Sequence, residues 1–393
     1  MASVCFYFQV HQPDRLRRFS IFHQSNDYFD DGANREILRK VSQRCYIPAN
    51  DLLLKLIRRH DGRFRIAFSV TGSVLEQFQR FTPEVLASFQ LLADTGCVEF
   101  LAETAYHSLS FLYSREEWEA QVRAHAGLIE RHFHQKPATF RNTELIYSND
   151  LANAASALGF ANVLCDGPAH TLAGRPPTRV YHPPDRPDTR LLLKHARLSD
   201  DIAFRFSNRN WPSWPLTADR YAEWLREAGA GDGVINLFLD YETFGEHQWA
   251  ETGIFDFLEW LPLEFLKLPR AKFVLPREAA EQAPRGGEYD VPFMTSWADA
   301  ERDLSAWLGN PMQASALYRL YSLEPTVRES ADPLLLNIWR RLQTSDHFYY
   351  MSTKYHADGV VHRYFSPYDS PYDAFINYMN VLDHLCGRLG VSV

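Results

Sequence analysis

No apolar run in the sequence approaches the roughly 20 residues of a membrane span. Paired cysteines are also missing: Cys5, Cys45, Cys97, Cys165 and Cys386 are odd in number and widely scattered. Without a Cys-x-x-Cys pair they suggest neither a zinc knuckle nor a disulfide framework. Basic residues are in deficit, since 41 Lys and Arg against 49 Asp and Glu give a net charge of −8. That balance repels a polyanion, so no nucleic-acid partner is expected. The first ten residues lack a basic leader and a cleavage site, and their apolar run stops at Gln9. They read as a strand rather than a signal peptide, which with the cysteine pattern suggests a cytoplasmic chain and no membrane partner. Internal repeats and low-complexity tracts are absent too.

What is present is ordinary in bulk and unusual in one respect. The 393 residues, 46% hydrophobic and 23% charged, suit one large folded domain or two moderate ones. Phe, Tyr and Trp number 27, 19 and 9, or 14% of the chain. Most must fill the interior, and a surplus near a polar cleft would suit the flat apolar faces of sugars.

Short apolar runs at Ser3–Val10, Arg63–Val70, Cys97–Ala102, Pro137–Arg141, Ala161–Cys165 and Val234–Leu239 read as strands. They alternate little, as parallel strands buried on both faces do. Helical stretches separate many of them. Arg115–Phe133 is one, opened by the capping-box pair Ser114 and Glu117, and a further helix is expected from Ser148. This rhythm implies an α/β fold on a parallel sheet, open or closed into a barrel. Residues 166–233 interrupt it with proline-rich segments, expected to form an active-site wall. Beyond about Trp297 the pattern turns helical, at Ala298–Leu308, Gln313–Leu323, Asp332–Thr344 and Tyr372–Leu389. The expected organisation is a catalytic domain over 1–290 with its insertion near 166–233, then a helical bundle over 291–393 that contributes to the cleft.

Polar residues stand immediately after five of the strands: His11, Glu103 with His107 close behind, Glu144, Asp166 and Asp240 with Glu242. Strand C-termini in a parallel sheet or barrel share one rim, so these groups should converge on one cleft. Each has a plainer reading. His11 could cap a strand, Glu103 could orient a loop, Glu144 could open a helix and His247 could be a loop histidine. Asp240 and Glu242, two apart, could share one side of the pleat, one orienting the other. Trp211, Trp214, Trp249 and Trp297 are core or cleft residues.

Several carboxylates, neutral histidines and many aromatics suit glycoside hydrolysis, which needs one protonated and one ionised carboxyl group. At about 5–5.5 Å apart the ionised one attacks carbon and stereochemistry is retained. Glu144 and Asp240 are the candidate pair, with His11, Glu103, Glu242 and His247 holding sugar hydroxyls. Metal hydrolysis is the rival chemistry, but no compact His-x-x-x-His or paired-Asp ligand set stands out. A catalytically inactive glucan-binding protein is the rival from another class.

The segments His11-Gln12-Pro13, Glu103-Thr-Ala-Tyr-His107, Phe140-Arg-Asn-Thr-Glu144-Leu-Ile-Tyr147 and Asp240-Tyr-Glu242-Thr-Phe-Gly-Glu-His247 resemble the ordered motifs of glycoside hydrolase family 57. So do Ser296-Trp297-Ala-Asp299 with the residues through Asn310, and Ser345–Met351. The resemblance implies an incomplete, seven-stranded (β/α) TIM-like barrel followed by a helical bundle. It also implies a retaining reaction on α-glucans with no catalytic metal and no cofactor. Carried over by motif, Glu144 is the nucleophile and Asp240 the general acid/base. His11, Gln12, Glu103, His107, Glu242, His247 and Trp297 with Asp299 surround the sugar subsites. Ala102 departs from the pattern, standing where many members have Gly. The implied substrate is a soluble maltodextrin or glucan branch, cleaved by an α-amylase-like hydrolase or passed on by a 4-α-glucanotransferase or branching-type enzyme.

Overall fold

The computed structural model describes residues 2–20, 22–23, 25–230, 232–354 and 362–391. Ten strands are placed: β1 (Ser3–Val10), β2 (Ile66–Val70), β3 (Val98–Phe100), β4 (Thr139–Arg141), β5 (Asn162–Cys165), β6 (Val180–His182), β7 (Arg190–Leu193), β8 (Val234–Asp240), β9 (Lys272–Phe273) and β10 (Arg285–Glu288). One sheet runs β3-β2-β1-β8, with β9 beside the start of β1. The other runs β10-β6-β7-β5-β4. All pairings are parallel except β6 with β7. Two single parallel bridges, Ala102 with Phe140 and Lys194 with Asn236, join the sheets at both sides.

The chemistry of β1 explains its unbroken apolar run. Val4, Phe6, Phe8 and Val10 pack outward with helices Asp31–Val41, Ile47–Arg59, Gly72–Phe81 and Pro83–Ala93. Cys5 and Tyr7 face the other way, into a cluster shared by both sheets with Ala67, Leu164, Leu192, Val234 and Phe238. Both faces of the strand are therefore covered. Helices Arg115–Phe133 and Asn149–Ala157 cover the second sheet through Trp118, Val122, Leu151 and Ala155, against Phe140, Val163, Cys165, Leu191 and Leu193.

The later helices, Pro311–Ser322, Pro333–Arg341 and Pro371–Leu389 among them, form a separate core with Leu16, Phe19, Tyr28 and Phe29. Ion pairs onto buried carboxylates fasten this core to the rest of the chain. Arg328 and Arg340 meet the buried Glu117, and Arg341 meets Asp14 at 2.8 Å. The Ser345 N–H donates to the His107 carbonyl, which brings the start of helix Ser345–Tyr349 to the rim of the first sheet.

Several expectations need correction. The proline-rich stretch is not a plain interruption, because β6, β7 and helices Ala196–Ala203 and Ala218–Ala228 continue the rhythm inside it. Its prolines sit in the connections, and β7 is only four residues long. Helix Ala298–Leu308 shrinks to Ser305–Leu308, since Asp299 and Arg302 take left-handed φ values of 54° and 56°. The capping box is half made. Ser114 accepts from the Glu117 N–H, but the Glu117 carboxylate turns to Gln121, Arg328 and Arg340. All five cysteines are buried and free.

Candidate active site

The shared interior turns polar toward the strand C-termini. On β1 the side chain after Tyr7 on that face is Gln9, whose Nε2–H donates to Glu103 at 3.4 Å. On β4 the inward residues are Thr139 and Arg141, and the fully buried Arg141 guanidinium lies 3.5 Å from Glu103 Oε2. The Glu103 N–H donates to His125 Nδ1, and His125 Nε2 reaches the Val70 carbonyl at 2.8 Å, which fixes His125 as a neutral ring. Burial works against the Glu103 charge, but His107 and Arg141 overcome it and hold the carboxyl at about 2. Ala102 pairs as an ordinary β residue, its N–H on Thr139 and its carbonyl on Arg141. The Ala102 methyl group leaves this pairing intact.

Glu144 follows β4 in a tight turn with φ 55° and ψ 27°, a left-handed conformation that a side chain rarely adopts. Both of its carboxylate oxygens are held. His107 Nε2–H donates to Oε1 at 2.8 Å, and the Trp297 indole N–H donates to Oε2 at 2.7 Å. His107 Nδ1 faces Glu103 Oε2 at 3.4 Å, so both ring nitrogens meet carboxylates and both carry protons. Burial opposes that charge, yet the bonds to Glu103 and Glu144 raise His107 to about 9. Against the cost of its burial, His107, Arg141 and the Trp297 indole pull Glu144 below the usual carboxylate range.

Asp240 closes β8, in register with Gln9 of β1. Its carboxyl makes no hydrogen bond to any described side chain. Burial and the neighbouring Glu144 charge push it up to about 6, against the pull of Arg141 and Lys194. Glu242 lies in the turn Tyr241–Thr243, so the pleat of β8 does not reach it. It accepts from the Tyr46 hydroxyl, and burial with the Asp240 charge raises it to about 8. Gly245 makes the next bend at φ 113°, where a Cβ would stand 2.0 Å from the Arg44 carbonyl.

His11 stands between the two halves of the chain. Its Nε2 bonds Asp346 Oδ2 at 3.0 Å, and its Nδ1 lies 3.0 Å from Thr71 Oγ1. Burial and the His107 charge push the His11 pKa below its ordinary value, while the hydrogen bond from His11 and the His107 charge hold Asp346 ionised against its own burial. An ionised carboxylate only accepts, so the His11 proton sits on Nε2 and the Thr71 hydroxyl donates to Nδ1.

The remaining sequence candidates are Gln12, beside Glu242, and His247, Asp299 and Asp166. Gln12 is buried beside Tyr46 and Arg15 and bonds both. His247, lowered to about 4 by burial, sets its ring against the edge of Phe365. Asp299 pairs with Lys354 at 2.5 Å and His362 at 3.1 Å. Asp166 is fully buried, its carboxylate 3.7 Å from Arg302. Of the four tryptophans, Trp297 alone bonds a candidate catalytic carboxylate among the described residues; Trp211 packs on Trp224, and Trp214 and Trp249 are exposed.

Sequence reading missed Arg141, Lys194 and Asp346. The Arg141 guanidinium and the Lys194 ammonium lie over the Trp297 indole, 5.3 and 5.0 Å from its ring centroid. Lys194 directly follows β7, so the strand-end rule finds it once β7 is recognised.

A family model described as glycosyl hydrolase family 57 matches residues 5–292. A protein of Methanocaldococcus jannaschii named "Putative alpha-amylase" is 43% identical over 96% of this chain and 83% of its own length. Among solved structures, a 4-alpha-glucanotransferase from Thermococcus litoralis superposes with a TM-score of 0.70 at 14% identity, over 97% of this chain but only 60% of that one. A branching enzyme from Pyrococcus horikoshii superposes with a TM-score of 0.65 at 15% identity, over 99% and 95% of the two chains. At such identities the two superpositions establish a shared fold alone.

Proposed function

Because the chain belongs to glycosyl hydrolase family 57, as an α-amylase-like glycoside hydrolase, we propose that it cleaves α-1,4 bonds of maltodextrins or starch-like α-glucans by a retaining double displacement. Glu144 is the nucleophile and Asp240 the general acid and base. The observation that carries this reading is that two carboxyl groups close enough to interact are shifted in opposite directions. Glu144 is held ionised by His107 and Trp297, and Asp240 is raised to about 6 by burial and the Glu144 charge.

In the first step a Glu144 oxygen attacks the anomeric carbon while the glycosidic C–O bond breaks and Asp240 gives its proton to the leaving oxygen. In the second, the Asp240 carboxylate takes a proton from water. The water oxygen attacks the same carbon and the bond to Glu144 breaks. His11, Gln12, Glu103, His107, Glu242, His247 and Trp297 are assigned to the surroundings of the sugar, and His107 and Trp297 also hold Glu144. Two bridges that join the parallel strands β1, β2, β3, β4, β5, β7 and β8 support an incomplete (β/α) barrel as the scaffold. Five buried, free thiols suit a cytoplasmic setting.

The test is a product profile on maltoheptaose for the wild type and Glu144→Gln. Shorter sugars from the wild type and none from the variant support a hydrolase using this nucleophile. Longer sugars appearing early would replace hydrolysis by transfer to a sugar acceptor. Turnover by the variant would sink the nucleophile assignment.

A further inference from the structure

Among the described residues the Asp299 side chain bonds neither Glu144 nor Asp240, and it stands in the loop that presents Trp297. The connection from Ser296 to Asp303 is closed on itself, with the Ser296 N–H on the Arg302 carbonyl and the Ser296 hydroxyl on the Asp303 carbonyl. Two left-handed residues, Asp299 and Arg302, shape it. Such a backbone persists only where its surroundings over-determine it. Arg302 supplies one set of restraints. Its Nη1–H donates to the Trp297 carbonyl at 2.5 Å, and its Nη2 lies 3.3 Å from Asp200. Asp299 supplies the other, from the late part of the chain. Lys354 Nζ reaches Asp299 Oδ2 at 2.5 Å and Glu301 at 2.9 Å, while His362 Nε2 lies 3.1 and 3.2 Å from the two Asp299 oxygens. The Asp299 side chain is 6% exposed, so these partners and not solvent satisfy it.

We propose that Asp299 is a positioning residue: its pairing with Lys354 and His362 locks the 296–303 loop so that the Trp297 indole N–H stays on Glu144. The proposal rests on the assignment of Glu144 as nucleophile only for its effect on rate, not for its effect on the loop. It replaces a sugar contact by a structural latch two residues from the donor. A donor moved by about 1 Å loses most of its use, at a cost of up to about 100-fold in rate.

A double-mutant cycle tests it. Asp299→Ala is expected to lower kcat on maltoheptaose about 10-fold with KM within about twofold of wild type. Added to Trp297→Phe, it is expected to cost nothing further. Equal losses in both backgrounds would overturn the proposal, as would a raised KM with kcat unchanged, the mark of a residue that touches sugar. Asp299→Asn, which keeps the shape of the side chain, covers the case where the alanine variant does not fold. In that variant the ¹⁵N-labelled Trp297 indole signal should move in the absence of substrate, and an unmoved signal would overturn the latch. Because this signal reads the loop and not turnover, failure of the nucleophile assignment and failure of the latch are told apart.

Discussion

The rings of His11 and His107 lie face to face, their centroids 4.1 Å apart and their planes 23° from parallel. One is neutral and the other charged, so the pair is a cation resting on a π face rather than two repelling imidazoliums. Asp346 and Thr71 fix the neutral ring, and Glu103 and Glu144 fix the charged one.

Replacing the charged member should therefore act on Glu144. In His107→Asn the carboxylate loses its cation and its pKa rises, so the acidic limb of kcat/KM moves to higher pH. The rate at the optimum should fall about 10²–10³-fold, as on removal of one pre-organised donor. A pH–rate profile on maltoheptaose reads both effects. An unmoved acidic limb would show that His107 does not set the charge of Glu144.

Asp240 must hold its proton to act as acid. Its pKa stands at about 6, so kcat/KM should decline as pH rises through about 6. Asp240→Asn should remove that decline and lower the rate about 10²–10⁴-fold on maltoheptaose. Aryl maltosides with good leaving groups need less protonation and should lose much less. Comparable losses on both substrates would argue against an acid role.

Glu242 is raised to about 8, so the folded protein holds its proton where the unfolded chain has released it. Its contribution to stability is full below the ordinary glutamate range and is lost as pH rises through about 8. Glu242→Gln never ionises. Its melting temperature relative to wild type should rise between about pH 4.5 and 8 and level off above. A difference that stays flat with pH would place the Glu242 pKa near its ordinary value.

Gly245 admits no side chain, because a Cβ would meet the Arg44 carbonyl at 2.0 Å and φ is 113°. Gly245→Ala should destabilise the fold by about 1–3 kcal/mol, read as a lower urea midpoint. Wild-type stability in that variant would mean that the bend relaxes without cost.

Much of the candidate site was legible because a parallel strand leaves its polar successor on a common rim. His11, Glu103, Glu144 and Asp240 needed only their strands to be seen. Lys194 was lost with β7, four residues hidden between prolines. Arg141 was hidden for another reason, since a charged side chain inside a strand reads as an edge position unless its partner Glu103 is known. Asp346 follows a helix cap, where acidic residues are common for local reasons, and only the tertiary fold brings it to His11. The helix expected over Ala298–Leu308 failed at Asp299 and Arg302, whose left-handed backbone leaves no mark on apolar spacing.

The two donors to Glu144 come from opposite ends of chain synthesis. His107 emerges early, while Trp297 lies beyond residue 292, where the family match stops, and Asp346 later still. A nascent chain that has made Glu144 and Asp240 has one grip on Glu144 and lacks Asp346, the partner of His11. Under the proposed reaction, activity is thereby tied to translation of the late helices, so that a truncated product carrying both carboxyl groups is expected to be a poor catalyst.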